Sequence, residues 1–371
     1  MVLVEPPTQG RSRRVADIGY VPVLKGRGGE FLALRHLDLA TREAILPLIE
    51  VVPAPADSAP DIRPVVLRTV QRLGEAWATF PIMVDLGHLD TDVDLGDGHG
   101  AVWLAAERLV AADVTPLPVM RLGDAPSVDG SVSAVRDVIE LRRAGLVSNI
   151  ALRLSAEDMD DEPEATEGLI DSLLEVVGFG PAKVILLLDL GEVTASTTRA
   201  GARLVADALA DHRREWHRVV AVAGAFPVDL STAPPWEIAE FPRADAAMWN
   251  ALTRRAGDGP TTAFGDYAVA HPRLVSGVAF RAAPQLRYAV SNRWLVLKGR
   301  VNDPRGHDQF TKICAEIAAT DDFAGARLGW ADNLIEHPTP GRPGNASTWR
   351  AIGTAHHIDY VVARLTNLAE P

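Results

Sequence analysis

Short apolar runs recur along the chain, and most carry a polar or charged residue at or near their C-terminal end. They occupy residues 20–25 (YVPVLK), 45–50 (ILPLIE), 80–85 (FPIMVD), 117–121 (LPVMR), 150–154 (IALRL), 183–189 (KVILLLD), 219–226 (VVAVAGAF) and 262–267 (TAFGDY). Each is of strand length, rich in Val, Ile and Leu and nearly continuous in hydrophobicity, as a strand buried on both faces must be. Between them, residues 62–77, 101–112, 131–144, 166–177, 198–214 and 243–255 carry apolar positions at helical spacing. This alternation predicts parallel strands joined by right-handed crossovers, and eight units favour closure into a barrel over an open doubly wound sheet. Only residues 31–44 separate the first two runs, so the first helix is predicted to be short.

The rhythm changes after residue 270. Residues 286–290 and 293–297 flank Ser291-Asn292 and predict a hairpin with a two-residue turn. A helix over 307–319, a Gly/Pro-rich loop over 338–345 and a terminal helix over 358–369 follow. The reading is an α/β chain with an N-terminal segment (1–19), a (β/α)8 TIM-type barrel (20–280), and a hairpin and helical extension (281–371) packed on the barrel.

Composition fits this picture. With 371 residues, 47% of them apolar and 23% charged, the chain has material for a large core. A net charge of −12 disfavours a broad grip on nucleic acid but leaves room for a local basic pocket. The single cysteine, Cys314, excludes an intrachain disulfide and a thiolate zinc cage; its helical context predicts core packing, and a reducing compartment follows. Arg11, Arg13 and Arg14 precede no apolar stretch, and no segment approaches the roughly 20 apolar residues of a membrane span. A cytoplasmic protein without a membrane partner is expected.

In a parallel barrel the strand C-termini gather at one mouth. There the pattern predicts a ring of Lys25, Glu50, Asp85, Arg121, Arg153, Asp189 and Asp266, with Tyr267 and Asp229 beside it. Lys25, Arg121 and Arg153 suit phosphate or carboxylate oxygens. Glu50, Asp85 and Asp189, with Lys25, are the candidate catalytic groups, since carboxylates serve as general bases or as oxygen ligands to Mg²⁺. The expected function is binding of a phosphorylated or otherwise anionic ligand, with hydrolase or phosphodiesterase-like chemistry if the protein is an enzyme. The alternative is that opposite charges close on one another in a structural network.

Weaker signals lie elsewhere. The run Gly26-Arg27-Gly28-Gly29-Glu30 could present N–H groups to an anion, but it lacks the P-loop order, and a turn with positive φ explains its glycines better. The aspartates from Asp90 onward resemble a calcium loop, yet Ala101 stands where the ligating Glu belongs. That run, like the acidic stretch 157–167, reads as solvated. Lys298 and Arg300, with Arg293, Arg305 and Trp294, form a basic and aromatic cluster of the kind that holds single strands, or else an ordinary surface strand. His356 and His357 are adjacent, so they diverge by about 100° on a helix and cannot chelate one metal as an i,i+4 pair. One of them could face the site while the other caps or packs, and the segment carrying Trp349 and Arg350 either closes over the mouth or, as the favoured reading, packs as an ordinary terminal helix.

Several segments taken together resemble the bacteriophage beta protein family, whose bacterial members occur near phage-defence genes. The matching text is YVPVLKGRGGEFLALRHL (20–37), PLIEVVP (47–53), LRYAVSNRWLVLKGR (286–300) and WRAIGTAHHIDYVV (349–362), spread over nearly the whole chain. The resemblance implies a phage or phage-defence setting, with a nuclease-like or other defence protein as partner. It brings no activity and no catalytic residues. A noncatalytic scaffold or interaction subunit of a phage-defence complex, docking through the hairpin or terminal helix, is the second expectation.

Overall fold

The computed structural model describes residues 19–53, 61–95, 98–124, 133–256, 262–274, 283–339, 341–368 and 371. The N-terminal segment before residue 19, part of the aspartate run, residue 340 of the Gly/Pro-rich loop and the ends of two expected helices (131–132 and 369) lie outside these residues.

In chain order the elements are β1 (Tyr20–Leu24), α1 (Gly28–His36), α2 (Leu39–Ala44), β2 (Leu48–Glu50), α3 (Ile62–Trp77), β3 (Pro81–Asp85), α4 (Ala101–Ala111), β4 (Thr115–Arg121), α5 (Ala134–Arg143), β5 (Ile150–Ser155), α6 (Ala156–Asp160) and α7 (Pro163–Val177). Then come β6 (Val184–Glu192), α8 (Thr198–Asp211), β7 (Arg218–Gly224), β8 (Ala239–Pro242), α9 (Ala244–Ala256), β9 (Ala263–Asp266), β10 (Gln285–Ala289), β11 (Arg293–Lys298), α10 (Gln309–Ala318), α11 (Trp330–Glu336) and α12 (Ala346–Leu368).

Strands β1 to β7 and β9 pair in parallel and close into the expected eight-stranded barrel. The apolar runs are continuous because alternate residues serve two cores. In β1, Val21 and Val23 pack with Leu46, Leu48 and Met83 inside the barrel. Tyr20 and Leu24 join the layer between strands and helices. Helix starts follow local capping chemistry. Asp38 accepts from the Thr41 N–H at 2.7 Å, Asp61 from Arg63, and Ser133 from Arg136, each supplying an orphan N–H with an oxygen. Gly178, in the left-handed conformation at φ 73°, ends α7.

The tail departs from a simple appendage. The hairpin β10–β11 forms as expected, but β11 also pairs antiparallel with β8, giving a three-stranded sheet in the order β10-β11-β8. Strand β8 falls within the segment assigned to the barrel, between β7 and α9. Helix α12 starts twelve residues before its expected onset and lies against α1, α2 and β1, where the helix following an eighth barrel strand belongs. The C-terminal helix therefore completes the barrel, and the sheet is an insertion ahead of it. Two close approaches require glycine. A Cβ on Gly29 would stand 2.6 Å from the Ser347 carbonyl oxygen, and one on Gly353 would stand 2.8 Å from that of Arg287. These gaps let α12 lie flush on α1 and β10.

Candidate anion site at the barrel mouth

The interior alternation continues to the strand ends and decides which residues enter the mouth. Stepping by two from Val23, Leu48, Met83, Val119, Ala151, Leu187, Val222 and Gly265 reaches Lys25, Glu50, Asp85, Arg121, Arg153, Asp189, Gly224 and Tyr267. Asp266 is one residue out of phase and faces outward, which corrects its place in the expected ring. Strand register sets Glu50 beside Asp85 and Arg121 beside Arg153, so like charges stand side by side at two places and must be neutralised from other strands, in part across the barrel.

Arg153 does this. Its guanidinium reaches Glu50 Oε1 at 2.9 Å, Asp189 Oδ2 at 2.8 Å, and Asp85 Oδ2. Lys25 Nζ donates to Glu50 Oε2 at 2.7 Å and to the Pro272 carbonyl at 2.6 Å. Arg121 reaches Asp85 Oδ2 at 2.7 Å. The Tyr267 hydroxyl donates to Asp189 at 2.6 Å and accepts from Arg153 at 2.6 Å. The remaining oxygens of Asp85 and Asp189 accept backbone N–H groups of Gly87 and Gly191, both at 2.8 Å. Thus Lys25, Glu50, Asp85 and Asp189 converge as the sequence requires, yet three carboxylates are matched by three cations. Burial alone would raise Glu50, but His88, Arg153 and Lys25 outweigh it and hold its carboxyl well below the usual range. Asp85 is lowered in the same way, with Arg153 and Arg121 overcoming its burial.

This arrangement does not suit Mg²⁺. Arg153 occupies the space among the three carboxylates where a divalent ion would need their oxygens, and among the described residues no group of three His, Cys, Asp or Glu side chains could hold a metal.

Above the ring lies a cavity of about 300 Å³ bounded by the β1–α1 turn, the loops after β7 and β9, strand β10 and helix α12. Its walls carry Lys25, Arg27, Arg273, Arg287 and Arg350 against only Glu30 and Asp229. Arg273 is engaged by Glu192 at 2.5 Å. Arg287 donates to the Val269 carbonyl at 2.6 Å and lies 4.7 Å from the centre of the Phe226 ring, but neither it nor Arg350 has a carboxylate within ion-pairing distance among the described residues. Enclosure and mutual repulsion push the Arg287 pKa well below its ordinary value. Enclosure also lowers Arg350; Glu30 partly counters this and Arg27 adds to it. The loop at Gly26 is a turn with φ +57°, as expected.

The other expected ligand residues lie elsewhere. His356 and His357 are fully buried in α12 behind the strands and do not reach the mouth. His357 Nε2 meets Asp266 Oδ2 at 2.6 Å, and the other Asp266 oxygen accepts from the Tyr20 hydroxyl at 2.7 Å. His356 meets Asp332 at 2.9 Å and the Ala289 carbonyl at 2.8 Å. Lys298 donates to the Leu230 carbonyl at 2.6 Å, while the exposed Arg300 stands outside the cavity. Trp294 is buried, and Arg293 and Arg305 are taken by Asp322 and Asp303, so the hairpin offers no stacking platform. Cys314 is buried core, its thiol pushed up to about 12 by that burial. Arg287 was missed by the sequence reading, and Arg350 entered it only as a neighbour of the histidine pair. Their signal was a lone cation within an apolar strand and another on the glycine-bearing face of a helix.

The family model described as Beta protein matches residues 20–363. No curated protein matches the chain. Among solved structures, the carboxyl transferase domain from Rhizobium etli pyruvate carboxylase with pyruvate and biocytin is 11% identical at a TM-score of 0.31, covering 56% of this chain and 40% of that one. The same domain in a second structure is 12% identical at a TM-score of 0.30, again covering 56% and 40%. The chain thus spans well under half the length of these chains. Among the described residues no helix is long and apolar enough to cross a membrane.

Proposed function

Because this chain belongs to the Beta protein family, whose model runs through both barrel and inserted sheet, we propose that barrel and sheet together form a receptor for a small anionic, phosphorylated ligand. One observation carries this reading. Among the described residues Arg287 and Arg350 line the mouth cavity with no carboxylate within ion-pairing distance, while every carboxylate of the ring below is matched. Holding unpaired guanidinium groups in an enclosed wall costs free energy, which a bound anion offsets, and Arg is suited to bidentate contact with phosphate or carboxylate. Binding is favoured over hydrolysis, because Glu50, Asp85 and Asp189 are tied to Arg153 and none is placed to take a proton. In the phage-defence setting that the family resemblance implies, such a protein acts as the ligand-sensing member of a complex.

Titration calorimetry with inorganic phosphate tests the reading. Wild type is expected to bind at millimolar or tighter affinity, and Arg350→Ala to lose at least about tenfold, consistent with the 1.5–3 kcal/mol of a charge-assisted contact. Equal affinities for the two proteins, or no heat from wild type, would overturn it.

A further inference from the structure

We infer that a second anion subsite adjoins the mouth cavity across Arg27, so that the ligand is a small molecule carrying two separate phosphoryl groups. This rests on the anion-binding reading of the mouth and extends it.

A cavity of about 340 Å³ opens between the β1–α1 turn, helix α3 and the start of α12. Gly26, Arg27, Gly28, Arg68, Thr69 and Arg72 lie in its wall, and none of the described lining residues is Asp or Glu. Arg27 also lines the mouth cavity, so the two spaces meet at one guanidinium. Arg68 and Arg72 sit at i and i+4 on α3, where like charges repel. Neither has an ion pair among the described residues, and Arg72 rests only over the Phe31 ring at 6.0 Å. Thr69, between them, is 8% exposed, lines the cavity and has no hydrogen-bond partner for its hydroxyl among the described residues. Helix α1 begins at Gly28 in the same wall, where the first N–H groups of a helix have no intrahelical acceptor. Three guanidinium groups, a hydroxyl without a protein partner and a helix start thus surround one space in which no described lining residue supplies a counter-charge.

Calorimetry on the full chain with inorganic phosphate and a series of α,ω-alkanediol bisphosphates of increasing length tests the inference. One length is expected to bind at least about tenfold more tightly than phosphate, because the second contact becomes intramolecular. The double variant Arg68→Ala/Arg72→Ala, at two exposed positions, is expected to reduce that ligand to the affinity of phosphate, with an unchanged far-UV circular dichroism spectrum. Bisphosphates no tighter than phosphate at any length, or an advantage that survives the double variant, overturn the second subsite while phosphate binding lost in Arg350→Ala keeps the mouth reading. Failure of both ligands to bind overturns both readings.

Discussion

At the ends of the barrel strands Arg153 is enclosed by three carboxylates, whereas above it Arg287 and Arg350 line a cavity in which neither has a carboxylate within ion-pairing distance among the described residues. The same side chain thus serves opposite purposes within one mouth. In the ring, charge from one strand closes the charge of another, and the result is a plug that ties seven of the eight strand ends together. At the rim, cations arrive from a strand and a helix outside the barrel strands and have no ion-pair partner among the described residues, as a binding site requires. Paired charge marks structure here, and unpaired charge marks the site.

Breaking the ring should have the largest effect. Arg153→Met leaves buried Asp189 without a cation and takes one of two from Glu50 and from Asp85, and a loss on the order of 3–5 kcal/mol is expected in urea unfolding. A variant within 1 kcal/mol of wild type would show that the plug is dispensable. The outward network is next: Asp266→Ala removes the partner of His357, Tyr20 and Arg243, with an expected loss of about 3 kcal/mol. If that loss is absent, α12 is not fastened to the barrel through this carboxylate.

These two predictions separate what was legible in the sequence from what was not. The strand runs and their closing charges follow from burial on two faces, and period-two alternation carries Lys25, Glu50, Asp85, Arg121, Arg153, Asp189 and Tyr267 inward together. Asp266 closes its strand too, but Ala263, Gly265 and Tyr267 hold the inward phase, so its charge faces α12; position at a strand end was read where phase was decisive. His356 and His357 looked available because polar residues on a terminal helix usually face solvent, whereas this helix fills the eighth place in the barrel. Strand β8 has only four residues, ends at Pro242 and pairs on one side alone, too short a pattern to stand out. Arg287 and Arg350 lie 63 positions apart, and only packing at Gly29 and Gly353 brings them to one cavity.

A smaller, pH-dependent effect tests whether α12 carries its own internal cost. Burial raises the Asp359 carboxyl to about 7, partly opposed by its hydrogen bond from Thr41. Since the folded value exceeds the unfolded one, the native state binds more protons between roughly pH 4 and 7, and this group's contribution to stability declines as pH rises through that window. Asp359→Asn should therefore raise the urea midpoint at pH 8 and do so much less at pH 5. An equal change at both pH values would contradict the shift. Smallest in stability is Arg350→Ala, expected to lie within about 1 kcal/mol of wild type because no partner is orphaned. A larger loss would place Arg350 with the structural cations of the ring.

The most direct test of the division between plug and rim is anomalous diffraction from a crystal equilibrated with selenate. A selenium peak in contact with Arg287 and Arg350 is predicted, with Arg153 still bound to Glu50, Asp85 and Asp189. A peak seated among the ring residues with those pairs broken, or no peak at the rim at saturating selenate, would contradict the account.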